Sequence, residues 1–311
     1  MSVLKESTTE LDILEAGSQA VFQLGDRLRQ GQLAVMLGAG ISIGMGLPSW
    51  GELVRRCCEA TNTDTDGADF STSGFEVLNR LIDMAEAAYG RPKGRTFNES
   101  VRDLLYRDSD YNLIWNGPRN ELLNALGFLC LGSGQRRVSE VATLNFDVIL
   151  EEFAALHGLT YASVSVLPQL EDSVDLKVFH LHGALERGGK CRSEIVFGAK
   201  RYNRRLAVSG QQNELWNSWL TNWILRKQLL IVGAGGSFDA YHPAFTKAFD
   251  LLSNGGPGDS NRKYVGYWLL AAPQKPIQLS GIRDLGCVPV VLNSHAEYSR
   301  FILDIRRSSV S

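Results

Sequence analysis

The sequence has no cysteine pair spaced CxxC. Its five cysteines are Cys57, Cys58, Cys130, Cys191 and Cys287, and only the first two lie together. That spacing excludes a four-cysteine zinc site and a redox dithiol, and the odd count fits a reducing compartment in which each thiol is a small buried apolar residue. No apolar run approaches the ~18–20 residues that a membrane helix needs. The N-terminus, MSVLKESTTELDILEAG, carries acids and lacks an apolar signal core, so a cytoplasmic protein is expected. Neither charge dominates: Lys+Arg number 32 against 34 Asp+Glu, a formal net charge of -2. This balance argues against a chain that coats nucleic acid or an anionic membrane. Internal repeats and long low-complexity tracts are absent too.

What is present is an ordinary folded composition. The 311 residues are 44% hydrophobic and 21% charged, which excludes wholesale disorder and allows one large domain or two small ones. Residues 10–29 place Leu11, Ile13, Leu14, Ala20, Val21, Leu24 and Leu28 at roughly helical spacing. Then the period changes. Leu33–Leu37 is a short continuous apolar run closed by Gly38, as expected of a strand buried on both faces. Strand-like runs recur at Val141–Leu144, Tyr161–Val166, Leu176–Leu181, Gln228–Val232, Tyr264–Leu270 and Cys287–Leu292. Helical patterns separate several of them: Phe146–Leu156, Glu214–Leu225, Pro243–Leu252 and His295–Arg306. The alternation predicts an α/β fold, a doubly wound Rossmann-like parallel sheet.

Ser49-Trp50-Gly51-Glu52 has the S-x-x-E form of a capping box and opens a helix to about Ala60. After a polar loop from Thr61 to Gly74, the stretches Phe75–Tyr89, Phe97–Tyr106 and Arg119–Leu131 are helical by period. The expected organisation is a single domain over 1–311. Its core takes 33–50 and 138–311, and 52–137 form an inserted helical module.

Leu37-Gly38-Ala39-Gly40-Ile41-Ser42 directly follows the first strand. A strand ending in Gly-x-Gly lets the backbone turn sharply and approach a pyrophosphate at a helix N-terminus; it equally suits a tight turn with no ligand. It is not the dehydrogenase GxGxxG fingerprint, because Ile43 stands where the third glycine would be. Taken further, GAGISIGMGLPSW resembles the nucleotide-binding loop of sirtuins, which runs GAG-x-S, a stretch of small residues and G-[IL]-P. Three more segments fall in sirtuin order. Thr143-Leu144-Asn145-Phe146-Asp147 resembles the T-x-N-x-D element, and Phe179-His180-Leu181-His182-Gly183 the strand that ends in the catalytic His-Gly. Leu230-Ile231-Val232-Gly233, followed by Gly236-Ser237-Phe238-Asp239, resembles the later G-x-S loop at the adenosine side. The likeness spans about residues 33–240.

The departures narrow the resemblance. Deacetylating sirtuins carry two CxxC pairs after the His-Gly, whereas here only Cys191 lies nearby. The family's Pro-Asp-Phe-Arg becomes Pro48-Ser49-Trp50-Gly51, and the Gln before the Asn becomes Leu144. In these respects, and in the inserted helices, the chain is similar to the zinc-free sirtuin-like domains of bacterial anti-phage systems, which hydrolyse NAD. The resemblance implies NAD as substrate, no metal, and catalysis by Asn145 and His182. It implies NAD binding by Gly38, Ala39, Gly40, Ser42, Pro48, Trp50, Asp147, Gly233 and Ser237. His182 has the intrinsic pKa of a general base, Asn145 can orient water or ribose hydroxyls, and Asp147 can bind the carboxamide or ribose. The resemblance also implies that Trp50 covers the nicotinamide where sirtuins use Phe.

The activity implied is cleavage of NAD to nicotinamide and ADP-ribose by an NAD-depleting defence effector. Two alternatives stand beside it: a protein deacylase or ADP-ribosyltransferase, and a non-catalytic module that senses NAD or ADP-ribose. Expected partners are further copies of the chain or a separately encoded ATPase or Argonaute-like protein. The last helical pattern lies near the end of the sequence, so the gate on activity is expected to come from such assembly, through the inserted helices or a tryptophan face.

Plain structural roles compete at several positions. Asn145 and Asp147 could cap the helix beginning near Phe146, Ser42 could be a turn residue, and Trp50 could be core. His180 shares a strand face with His182 and reads as a satisfied core histidine. Trp216, Trp219 and Trp223 make one aromatic helix face, read as core or as a subunit interface. Lys200-Arg201-Tyr202-Asn203-Arg204-Arg205 reads as a solvated basic loop, or as a contact for NAD phosphates or nucleic acid, with Tyr202 at the rim of the site.

Overall fold

Short apolar strands can be covered on both faces only inside a sheet sandwiched by helices, and the chain is built that way. The computed structural model describes residues 10–71, 73–90, 94–110, 120–132, 134, 136–168, 173–188, 191, 194–207, 210–234, 242–254, 263–272 and 276–310. Within them the chain runs α1 (Glu10–Arg29), β1 (Leu33–Leu37), α2 (Trp50–Thr61), α3 (Phe75–Ala88), α4 (Phe97–Tyr106) and α5 (Glu121–Cys130). It continues with β2 (Glu140–Thr143), α6 (Ile149–Leu156), β3 (Tyr161–Val164), β4 (Leu176–His180), α7 (Ala199–Ala207) and α8 (Gly210–Arg226). The last elements are β5 (Gln228–Val232), α9 (His242–Ser253), β6 (Gly266–Ala271), α10 (Pro276–Asp284), β7 (Cys287–Leu292) and α11 (Glu297–Ser308).

Among the described residues the strands form one seven-stranded sheet in the order β3-β4-β2-β1-β5-β6-β7. Every neighbouring pair is parallel. This is the expected α/β fold. Side chains of β1 alternate between the two cores: Leu33, Val35 and Leu37 pack with α1, the α2–α6 helices and α11, while Ala34 and Met36 pack with α8 and α9. All of α2–α5 lies between β1 and β2 in sequence and shares the first of these cores. No helix among the described residues is long and apolar enough to cross a membrane.

The sequence expectation differs from the structure in four places. Residues 199–207 form a helix where a basic loop was expected. α10 has no counterpart among the expected helices. The helix after β2 starts at Ile149, not near Phe146. At the start of α2, Ser49 Oγ accepts the Glu52 N–H at 3.3 Å, but the Glu52 carboxylate turns to Arg55 and Arg56 and leaves the box half made. The reciprocal box is found instead at α4, between Thr96 and Glu99.

Candidate active site

Along the sheet, β1 is flanked by β2 on one side and β5 on the other, so the winding reverses at β1 and opens a crevice at its C-terminal end. A cavity of about 440 Å³ occupies it. Its polar wall comes from strand ends: Gly38, Ala39 and Ser42 after β1, Asn145 and Asp147 after β2, His182 after β4, and Gly233 and Ala234 after β5. Its apolar wall includes Pro48, Trp50, Leu53, Phe75, Leu78 and Leu105, with Phe146 from the β2 loop. The helices between β1 and β2 therefore close the pocket.

The glycines serve backbone packing. Gly38 N donates to Val232 O at 2.9 Å, and Gly40 N to Gly233 O at 2.9 Å. A Cβ on Gly38 would stand 2.5 Å from Ala234 Cα, and one on Gly40 2.8 Å from Gly233 Cα. Gly233 itself sits at φ +70°, a conformation that favours glycine. The β1 and β5 loops thus lie backbone on backbone, and these two N–H groups serve β5, not a phosphate. Gly40 does not line the main cavity. It borders a second one, of about 400 Å³, with Ile43, Leu269–Ala271, His295 and Tyr298; Gly233 and Ala234 border both. Ser237 and the rest of Gly236–Asp239 lie outside the described residues.

Ser42, Asn145 and Asp147 form one buried lock. Ser42 Oγ donates to Asp147 Oδ2 at 2.9 Å and accepts from Asn145 Nδ2 at 3.4 Å. Asn145 Nδ2 also donates to Gly38 O at 3.1 Å, and the Asn145 N–H donates to Thr143 Oγ1 at 3.0 Å. A carbonyl acceptor fixes which end of the amide is nitrogen, so Oδ1 is the end left for the cavity. Asp147 Oδ1 accepts the Ile149 N–H at 3.3 Å, so Asp147 has a partial capping role and Asn145 has none. Burial pushes the Asp147 carboxyl above its usual range, opposed by the Ser42 hydroxyl and the Ile149 N–H.

His182 is half-buried on the cavity wall. Its backbone is pinned: Leu181 N donates to Thr143 O at 3.0 Å and Val196 N donates to His182 O at 2.8 Å. Gly183 follows at φ +85°, where a Cβ would stand 2.5 Å from Glu194 O. His180 is 0% exposed, beneath the Asn145 loop. Its Nε2 meets Glu151 Oε1 at 2.5 Å and its Nδ1 meets Asn145 O at 3.2 Å. Burial disfavours its charge, but the Glu151 carboxylate and the Asn145 carbonyl outweigh burial and raise its pKa. His180 is thus a satisfied core histidine, as expected, although the carbonyl it holds belongs to the site.

Trp50 is both wall and packing. It lines the cavity and contacts Phe197 edge-on at 4.8 Å, with Phe146 at 5.9 Å and Phe75 at 6.1 Å. Neither Lys200 nor Arg201 lines the cavity, and the side chains of Arg204 and Arg205 lie outside the described residues. Arg201 clasps Glu86 at 2.6 Å and Asn98 at 2.6 Å, joining α7 to α3 and α4. Tyr202 packs on Phe75, which lines the cavity, at 6.3 Å. Trp216 and Trp223 are fully buried in the second core, and the half-buried Trp219 packs on it while bordering a surface cavity with Leu215. No group of three or more His, Cys, Asp or Glu among the described residues could hold a metal.

Sequence reasoning missed Tyr106, the last residue of α4. Its hydroxyl donates to Leu185 O at 2.7 Å and accepts from Val148 N at 3.1 Å, touching the loops after both β4 and β2. Burial holds the phenol well above its ordinary pKa, so it stays neutral and serves as donor and acceptor together.

The asparagine, aspartate and histidine of this pocket all come from the part of the chain where comparison with known families succeeds. Residues 139–283 match the SIR2-like domain family. The SIR2-like segment runs from just before β2 into α10 and contains Asn145, Asp147, His182 and Gly233. Comparison with curated proteins gives no match. A SIR2-like segment forming three of the four strand ends at this cavity points to NAD-dependent chemistry.

Proposed function

We propose that the chain is an NAD glycohydrolase that cleaves NAD to nicotinamide and ADP-ribose. The observation that carries this reading is the convergence of Asn145 and His182 on one cavity that also holds the Ser42–Asp147 pair. Nicotinamide and its ribose fit the main cavity, and the adenosine end extends past Gly233 toward the second. The C1′–N bond breaks with its electron pair passing to nicotinamide, which leaves neutral and needs little acid assistance. Positive charge then develops on the ribose. Water held by Asn145 Oδ1 attacks C1′ while His182 takes its proton. The apolar wall around Trp50 and Phe146 limits the entry of other nucleophiles.

An unregulated hydrolase of this kind would drain its own cell. The proposal therefore includes a gate, set by self-assembly or by a separate ATPase or Argonaute-like partner, in the setting of anti-phage defence. The zinc-bearing sirtuin module that helps build an acyl-lysine groove has no cysteine ligands here, which favours hydrolysis over deacylation.

Purified protein incubated with NAD, with and without acetylated peptide, tests the reading. At concentrations where the chain assembles, NAD loss without peptide is expected; loss only with peptide means a protein acceptor, and binding without turnover in the assembled form means a sensor. His182→Ala and Asn145→Ala should each slow turnover by ~10²–10⁴-fold while NAD binding persists. Hydrolysis by His182→Ala at the parent rate would overturn the mechanism.

A further inference from the structure

We propose that Tyr106, carried by the inserted helices, is a positioning residue whose single hydroxyl sets the Asn145 loop and the His182 loop relative to each other. The kinetic consequence rests on the NAD-hydrolase reading; the geometry does not. Tyr106 Oη takes the Val148 N–H at 3.1 Å and gives its own proton to Leu185 O at 2.7 Å. Val148 lies in the loop that carries Asn145 and Asp147, and Leu185 in the loop that carries His182 and Gly183. The two loops also meet through Leu185 N, which donates to Phe146 O at 2.7 Å. Tyr106 adds the one element that neither loop supplies: a fixed point on a different helix.

That point is itself held. The Arg187 guanidinium lies 4.5 Å from the Tyr106 ring centroid. Arg187 is tied to Glu152 of α6 at 3.0 Å and to Ser109 Oγ, just past α4, at 2.5 Å. The phenol is therefore clamped between the insert, α6 and the His182 loop. Leu105, next to it in α4, lines the cavity. A shift of α4 consequently moves one pocket wall and both loops together. A displacement of ~1 Å in such a constellation can cost ~10²-fold in rate. Any contact that moves the insert has this route to the reacting groups.

Tyr106→Phe keeps the ring and removes only the hydroxyl. Two measurements read it: hydrogen exchange resolved to segments, and NAD turnover against the parent. Exchange should quicken by roughly tenfold in 144–149 and 183–187 while β1 and β5 keep their protection. Turnover should fall about tenfold in kcat with KM changed less than about twofold, because the loops are misplaced and not lost. A parent-like kcat in Tyr106→Phe overturns the proposal, as does exchange that stays unchanged or rises equally across the sheet. A parent that turns over no NAD even when concentrated into its assembled form counts against the self-gated hydrolase reading instead, and the exchange arm then decides Tyr106 alone. If Tyr106→Phe does not fold, Arg187→Gln is read in the same way. It retains both hydroxyl bonds but frees the ring, so the same pattern is expected at smaller amplitude, and parent-like behaviour overturns the proposal.

Discussion

Asn145 is anchored by one end of its amide and offered by the other. Nδ2 has two acceptors, Gly38 O and Ser42 Oγ, and Ser42 in turn satisfies Asp147. Replacing the donor end with an acceptor reverses that logic. In Asn145→Asp a carboxylate oxygen would face the Gly38 carbonyl and share the Ser42 hydroxyl with a second buried carboxyl. Leaving such groups unsatisfied costs about 1–3 kcal/mol. Urea unfolding should show Asn145→Asp destabilised by about that amount, and more than Asn145→Ala, which removes the donor without adding charge. Equal midpoints for the two variants would contradict the lock. The residue types of the lock are legible in the sequence as T-x-N-x-D after a strand, but their use is not. Ser42 looks available for a phosphate until Asp147, 105 positions away, is seen to accept from it.

At the scale of elements, β4 and α6 are joined beneath the site by the His180–Glu151 pair, whose side chains are both buried. Both partners of the imidazole are acceptors, so the ring serves both when doubly protonated. Its pKa is raised in the fold, and the direction fixes the pH window. The pair's stabilisation is complete below the unfolded histidine value of about 6.5 and is lost as pH rises through the higher folded value. Stability should therefore decline on the alkaline side of that window, with Glu151 and Asp147 the acidic groups facing the ring. His180→Gln should cost about 3–5 kcal/mol at pH 6, because the buried Glu151 keeps the Ser163 hydroxyl but loses its charged partner. It should also remove this part of the pH slope. Urea midpoints from pH 5.5 to 9 measure both effects, and parallel profiles for parent and variant would refute them. The central strands β1, β5 and β6 are legible because each is a short apolar run covered on both faces, whereas the edge strands β3 and β7 are covered only in part. α7 is not legible, since its basic residues look solvated until Arg201 is seen to bind Glu86 and Asn98. Tyr106 gives no signal at all: a tyrosine ending an amphipathic helix is ordinary until two distant loops close on it.

Across the whole molecule the two faces of the sheet have different tasks. One core holds α8–α10 and encloses Trp216 and Trp223. The other carries the inserted helices, and among the described helices α2, α3 and α4 of this insert line the cavity. If the proposed gate acts by assembly, contact on the insert can reach Leu105 and, through Tyr106, both loops. The commonest such contact is a symmetric one between identical chains. Light scattering recorded beside NAD loss over a concentration series should show specific activity rising with molar mass, because assembly and loop placement share one path. Activity that is full and independent of concentration in a strictly monomeric protein would rule out self-assembly as the gate. His182 and Asn145 would remain in place as the groups to test, since their geometry is set within a single chain.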